Sequence, residues 1–317
     1  MSPPRSRLAP RPTGSLHLGN ARTFLINWLM LRKAGGTIVL RIEDLDLARS
    51  RESLAEQAIS DLEWLGLDWD EGPIRQQDRT EEYERALERL RQAGLVYPCV
   101  CSRREVAAAS APHAEDEGPR YPGTCSDRFT DPDEARRQSG REPCWRFRVP
   151  AGPIRFVDRF RGEIILDPDR RGGDFVVRSC DATFSYQLAV TVDDSAMAIS
   201  EVLRGDDLIP STPRQILLHQ ALGSTPPRFI YLPLVLDGED RRLAKRRFGT
   251  ELASLRRAGV SAGKVIRYLA QVSGIPDPGS EVLARDLVDR FQLDQIPREP
   301  VRIGSLPWKV HESGMGP

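Results

Sequence analysis

Lysine is scarce in this sequence. Of its 46 basic residues only Lys33, Lys245, Lys264 and Lys309 are lysines, and the other 42 are arginines. Such a bias reflects coding composition and carries no function by itself, but it singles out a lysine inside an arginine-rich run. Excess charge is also absent, because 46 acidic residues balance the basic ones. Any nucleic-acid contact must then come from a local patch and not from the field of the whole chain. No apolar run nears the roughly 20 residues that span a bilayer; the best, Phe229 to Leu236, has eight and contains a proline. The N-terminal MSPPRSRLAP has no continuous apolar core of the signal-peptide kind. Five cysteines in 317 residues do not make a disulfide framework. At 39% apolar against 29% charged residues the chain is too apolar to be disordered. The expectation is a cytoplasmic globular protein with no membrane partner, built as two domains or as one large domain with an insertion.

What is present reads first as alternating strands and helices. Arg7 to Pro10 is a short extended entry, and Pro12, Thr13 and Gly14 make a turn. Phe24, Leu25, Trp28, Leu29 and Leu31 then recur at helical spacing until Gly35 and Gly36. Thr37 to Ile42 is apolar without alternation, as a parallel strand buried on both faces should be. Ser50 and Thr80 are suited to cap two further helices, the second running to Gly94. The pattern favours a parallel sheet. From about 96 to 174 cysteines, prolines and short strand-like runs (144–149, 154–157 and 163–166) replace long helices, which reads as an insertion. The α/β texture resumes at 175–178 and 186–192, followed by a helix from about Thr212 to Leu222.

Two segments are suited to phosphate. In RLAPRPTGSLHLGNART, Arg7 to Thr23, a strand and a Pro/Gly turn lead into a helix whose first turn carries His17, Gly19 and Asn20. Free N–H groups at a helix start attract phosphate, glycine permits close approach and His17 adds a donor; the plainer reading is a capped surface helix. Residues 241–257 hold seven basic side chains against one acid, Glu251. A solvated loop is the usual explanation of such a run, although Lys245 is a compact charge suited to polyphosphate. Cys99, Cys101 and Cys125 form a third candidate, a metal site. Three thiolates hold zinc, and a closed tetrahedral site needs a fourth ligand, for which His113 is the generic choice. Cys144 and Cys180 lack partner spacing and are read as core.

Together these pieces resemble a known family. His17-Leu18-Gly19-Asn20 is similar to the HIGH signature of class I aminoacyl-tRNA synthetases, and Arg242-Leu243-Ala244-Lys245-Arg246 to their KMSKS loop. RIEDLD at Arg41 to Asp46, YQLAV at Tyr186 to Val190 and RGDDL at Arg204 to Leu208 narrow the resemblance to glutamyl-tRNA synthetases. Arg11 stands where the family usually has serine, Asn20 replaces the second histidine and Ala244 the loop serine. The resemblance implies a Rossmann-type catalytic domain in two halves, 1–95 and 175–236, around a zinc-bearing insertion at 96–174, with the loop and a short helical region at 237–317. It implies that Arg7 and Arg204 hold carboxylates, that Glu43 pairs with the ammonium and that Tyr186 donates a hydrogen bond to L-glutamate. Leu8, Ala9, Pro10 and Arg11 complete that site. ATP, with magnesium, would meet His17, Gly19, Asn20 and Lys245, of which His17 and Lys245 would be catalytic. A short region after the loop, with the cysteine pattern, resembles the glutamyl-Q tRNA(Asp) synthetases. These load glutamate onto queuosine in the anticodon of aspartate tRNA, and the resemblance points to Tyr121 as the fourth zinc ligand. The alternatives are a truncated glutamyl-tRNA synthetase charging the 3′ end, and a non-catalytic tRNA-binding paralogue.

Overall fold

Arg5–Leu8 forms the first strand, β1, and Leu18–Lys33 the first helix, α1. The helix stops where glycine makes a left-handed turn possible: Gly35 has φ of +61°. β2 (Thr37–Ile42), α2 (Glu52–Trp64), β3 (Glu71–Arg75), α3 (Thr80–Gln92), β4 (Val96–Cys99) and α4 (Arg103–Ala109) follow. Next come α5 (Pro132–Ser139), β5 (Cys144–Phe147), β6 (Ile154–Asp158), β7 (Gly162–Leu166), α6 (Pro168–Arg171) and β8 (Phe175–Arg178). The chain continues through α7 (Tyr186–Ala196), β9 (Glu201–Gly205), α8 (Thr212–Ala221), β10 (Arg228–Leu232) and β11 (Val235–Asp237). It closes with α9 (Leu252–Arg257), α10 (Ala262–Val272) and β12 (Val301–Ile303). This computed structural model describes residues 3–46, 48–109, 119–237, 250–276, 279, 281–303 and 306–308.

The elements form two compact units. The first unites residues 1–76, 199–208 and 228–317. In it β1, β2 and β3 pair in parallel, as do β9 and β10. β9 runs beside β1, where the Ser200 amide donates to Arg5 O at 2.9 Å. The α1 helix packs on β1, β2, β9 and α10. Leu25, Ile26 and Leu29 of α1 and Ile38 and Leu40 of β2 are fully buried, which is why β2 shows no polar alternation. This is the expected α/β parallel-sheet architecture. The second unit holds 77–198 and 209–227, and so contains the whole cysteine-bearing stretch together with α3, α7 and α8. Its sheet of β4, β5 and β8 is antiparallel, and β6 and β7 form a hairpin. Buried Asp193 in α7 receives Arg79 Nε at 2.7 Å and the Tyr83 hydroxyl at 3.0 Å, fastening α3 to α7.

Some local expectations differ. The Ser50 hydroxyl finds no hydrogen-bond partner among the described residues, and extended Arg51 is the N-cap of α2. Thr80 is the first helical residue of α3 and not its cap, donating instead to Gln77 O at 3.1 Å. The 186–192 segment is a helix; its β-branched residues fit because Ser185 caps it, accepting from the Leu188 amide at 3.3 Å. Among the described residues no helix is long and apolar enough to cross a membrane.

Candidate functional site

His17 is the N-cap of α1 and closes a capping box with Asn20. Its Nδ1 accepts from the Gly19 amide at 3.1 Å and the Asn20 amide at 3.4 Å, while Asn20 Oδ1 accepts from the His17 amide at 3.1 Å. A ring whose Nδ1 accepts two hydrogen bonds carries its proton on Nε2. Gly19 is needed for a reason internal to the chain: a Cβ there would lie 3.0 Å from Cε1 of the His17 ring and 3.1 Å from Nδ1. The imidazole edge lies in the space beside Gly19. The same helix start is tied to the chain beyond the basic loop. Leu18 donates to Thr250 O at 3.0 Å and Leu252 to Leu16 O at 2.9 Å. Lys245, Ala244 and the rest of 238–249 lie outside the described residues, as does His113.

The other candidates of the first unit gather at the carboxyl ends of its strands, where open α/β sheets bind ligands. Asn27 of α1 accepts from Ser6 Oγ at 3.0 Å and donates to Arg7 O at 2.9 Å, fixing the last turn of β1 backbone against the helix. Buried Arg7 then reaches Leu203 O of β9 at 3.4 Å. Leu8, Ala9 and Pro10 follow it, and the Glu43 amide donates to Pro10 O at 3.0 Å, joining the ends of β1 and β2. Arg11, in the position of the family's serine, is exposed. Glu43 is buried beside fully buried Arg41, whose Nη2 lies 3.3 Å from Glu43 Oε1. Arg204 in β9 donates to the Tyr231 hydroxyl at 2.7 Å, and its guanidinium lies 5.5 and 5.2 Å from the Phe229 and Tyr231 ring centres. The i, i+2 spacing of those two aromatics on β10 puts them on one face.

A buried carboxylate and buried arginines on the same strand ends are groups of the kind that recognise a ligand with carboxylates and an ammonium group. Tyr186, the first residue of α7, belongs to the second unit and is half-buried. Arg41 opens the RIEDLD motif without a site role assigned to it, and Tyr231 lies in no motif; an arginine inside an otherwise apolar strand is the signal that marks Arg41. Nor is a site role assigned to Arg22, which is buried in α1 and donates to Ser273 Oγ at 3.0 Å and Pro233 O at 2.9 Å. Burial pushes its guanidinium down to about 10, with Asp206 acting in the opposite sense.

In the second unit β4 ends at Cys99, and the chain turns so that Cys101 and Cys125 approach it. Their Sγ atoms all lie within 4.8 Å of one another. With zinc–sulfur bonds of about 2.3 Å, tetrahedral thiolates stand roughly 3.8 Å apart, and the Cys101–Cys125 pair is at 3.5 Å. The Tyr121 hydroxyl is 3.3 Å from Cys99 Sγ and 3.9 Å from Cys101 Sγ, and accepts the Cys125 amide at 2.9 Å. Three sulfurs and one oxygen thus converge, a set that fits one zinc ion.

The thiols affect one another's charge. Hydrogen bonding with Cys144, then with Tyr121, and the nearby Arg146 charge hold Cys99 far below the ordinary thiol range, against its burial. Burial, with the Cys99 charge next, pushes Cys101 up to about 12. Neighbouring thiols do not all ionise without a cation to share. Cys144 is buried as expected, opposite Cys99 in the β4–β5 register. Cys180 is not core: it is exposed in the turn after β8, where Ala182 takes a φ of +66°.

Over residues 4–296 the chain matches the family described as tRNA synthetases class I (E and Q), catalytic domain. The glutamyl-Q tRNA(Asp) synthetase of Symbiobacterium thermophilum is 51% identical over 307 residues, covering 94% of this chain and 95% of that protein. The glutamate–tRNA ligase of Geobacter sulfurreducens is 41% identical, covering 93% of this chain and 62% of that protein. Among solved structures, the glutamate-tRNA synthetase from Elizabethkingia anophelis has a TM-score of 0.81 at 27% identity, covering 95% of this chain and 68% of its own.

Proposed function

Since the chain belongs to the class I glutamyl- and glutaminyl-tRNA synthetase catalytic-domain family, and is thereby an aminoacyl-tRNA ligase, we propose the following reaction. The protein activates L-glutamate with ATP and transfers it to queuosine in the anticodon of aspartate tRNA. One observation carries the choice of acceptor: the relatives at 51% and 46% identity are both glutamyl-Q tRNA(Asp) synthetases. The thiol cluster with Tyr121 beside it agrees with the same reading.

In the first step a glutamate α-carboxylate oxygen attacks the α-phosphorus of ATP in line. The bond to the bridging oxygen breaks, leaving glutamyl-adenylate and pyrophosphate; magnesium bound to ATP would offset phosphate charge. Arg7 and Arg204 face the carboxylates, Glu43 the ammonium, and Tyr186 donates a hydrogen bond; the 8–11 backbone lines the site. His17 Nε2–H and Lys245 offset polyphosphate charge, with the Gly19 and Asn20 amides holding the His17 ring in place. Such positioning and charge stabilisation need no covalent enzyme intermediate. A queuosine hydroxyl then attacks the acyl carbon, AMP leaves and an ester remains. Cys99, Cys101, Cys125 and Tyr121 would hold a zinc ion, which would brace the second unit. Glutamate-dependent pyrophosphate exchange without tRNA tests the activation step. Exchange above background is expected, and its absence at saturating ATP and magnesium would identify a binding paralogue instead of an enzyme.

A further inference from the structure

Arg146, in β5, is a buried arginine with 9% of its surface exposed, and no carboxylate pairs with it among the described residues. A buried cation without a counter-charge is costly, so its surroundings must supply one. They do so with sulfur and an aromatic face. Arg146 Nε–H donates to Cys99 Sγ at 3.3 Å, and Nη1 donates to Asp174 O at 2.9 Å. The guanidinium carbon stands 3.9 Å from the centre of the Tyr121 ring. One side chain therefore touches two of the four groups assigned to the metal. Formal charge agrees: with Tyr121 bound as a neutral phenol, three thiolates around a dication would leave one net negative charge, which one guanidinium cancels inside the buried cluster.

We propose that Arg146 is the positioning and charge-balancing residue of the metal centre, holding the Cys99 sulfur through Nε–H and the Tyr121 ring through its flat face. The proposal rests on the zinc reading above. Groups that orient metal ligands typically contribute 10- to 100-fold in metal affinity. Losing an N–H···S bond also raises the sulfur lone-pair energy, which lowers the energy of sulfur-to-metal charge transfer.

The test is chelator competition for zinc on the full chain, with the cobalt-substituted spectrum as second readout. Arg146→Met keeps the apolar stem but neither charge nor donor. It should bind zinc 10- to 100-fold more weakly and move the cobalt charge-transfer band to longer wavelength. Arg146→Lys, which keeps the charge and loses the planar contact, should recover most of the affinity while its band stays displaced. Arg155→Met, at an exposed arginine paired with Glu163 at 2.6 Å, should match the parent in both readouts. If Arg146→Met does not fold, Arg146→Lys decides alone through its band. Parent-like affinity and spectrum in the Arg146 variants would overturn the role of Arg146. A parent protein that takes up neither metal would overturn the zinc reading itself.

Discussion

His17 and Asn20 cap one helix reciprocally: each backbone amide donates to the other's side chain, at 3.4 Å and 3.1 Å. The arrangement turns the departure from a second histidine into part of a cap, since the Asn20 side chain at the third helical position reaches back to the N-cap N–H, as a capping-box glutamine does. It also assigns the His17 proton to Nε2, the nitrogen that would meet phosphate.

The His17 ring fills the space beside Gly19, so Gly19→Ala should displace it. We expect a stability loss of about 1 kcal/mol, the usual cost of a lost cap, and activation slowed by up to about 10²-fold, the scale of a displaced contact. Thermal unfolding and pyrophosphate exchange check the two parts. Nitrogen-15 spectra of the parent imidazole should show the Nε2–H form.

Lys245→Ala should slow activation about 10²-fold or more, the scale of losing one preorganised charge contact. The flank of its loop is anchored to the helix start through Thr250 and Leu252, which supports such a reach. Unchanged turnover would return Lys245 to a solvated loop.

Asp61 in α2 is buried, and its Oδ2 has no hydrogen-bond partner among the described residues. Burial lifts its carboxyl to about 6, offset in part by Arg256. The folded state thus holds this proton more tightly than the unfolded chain. Its contribution is fully present below the ordinary carboxylate range and is lost as pH rises through about 6. Asp61→Asn should therefore be more stable than the parent at pH 8, by about 1–3 kcal/mol. The advantage should vanish near pH 4, which denaturant unfolding across the range measures. An equal difference at both ends would contradict the burial argument.

One zinc per chain is expected after purification without chelator. Cys125→Ser should lose it and destabilise the second unit, while Cys180→Ser, at an exposed position, should keep it. Elemental analysis of both variants decides.

Local chemistry made much of this legible. The α1 helix with its glycine stop, the unalternating β2 and the cysteine cluster follow from spacing and turn residues. What escaped depends on contacts between residues far apart in the chain. Arg22 meets Ser273 across 251 positions and Arg146 meets Cys99 across 47, so neither partner is written near the residue it completes. The 186–192 run clusters β-branched Val190, Thr191 and Val192, and yet it is helical because α7 packs on α3 and α8. Cys180, without partner spacing, reads as core in the sequence, whereas it lies in an exposed turn.

The site of glutamate attachment tests the central claim most directly. Phosphate contacts should make tRNA binding fall steeply with salt, but only the acceptor distinguishes the readings. Aspartate tRNA with and without queuosine would be incubated with labelled glutamate and ATP, before and after oxidation of its 3′-terminal adenosine. Label is expected only on queuosine-containing tRNA, retained after oxidation. Label that ignores queuosine and disappears on oxidation would place the amino acid at the 3′ end and contradict it.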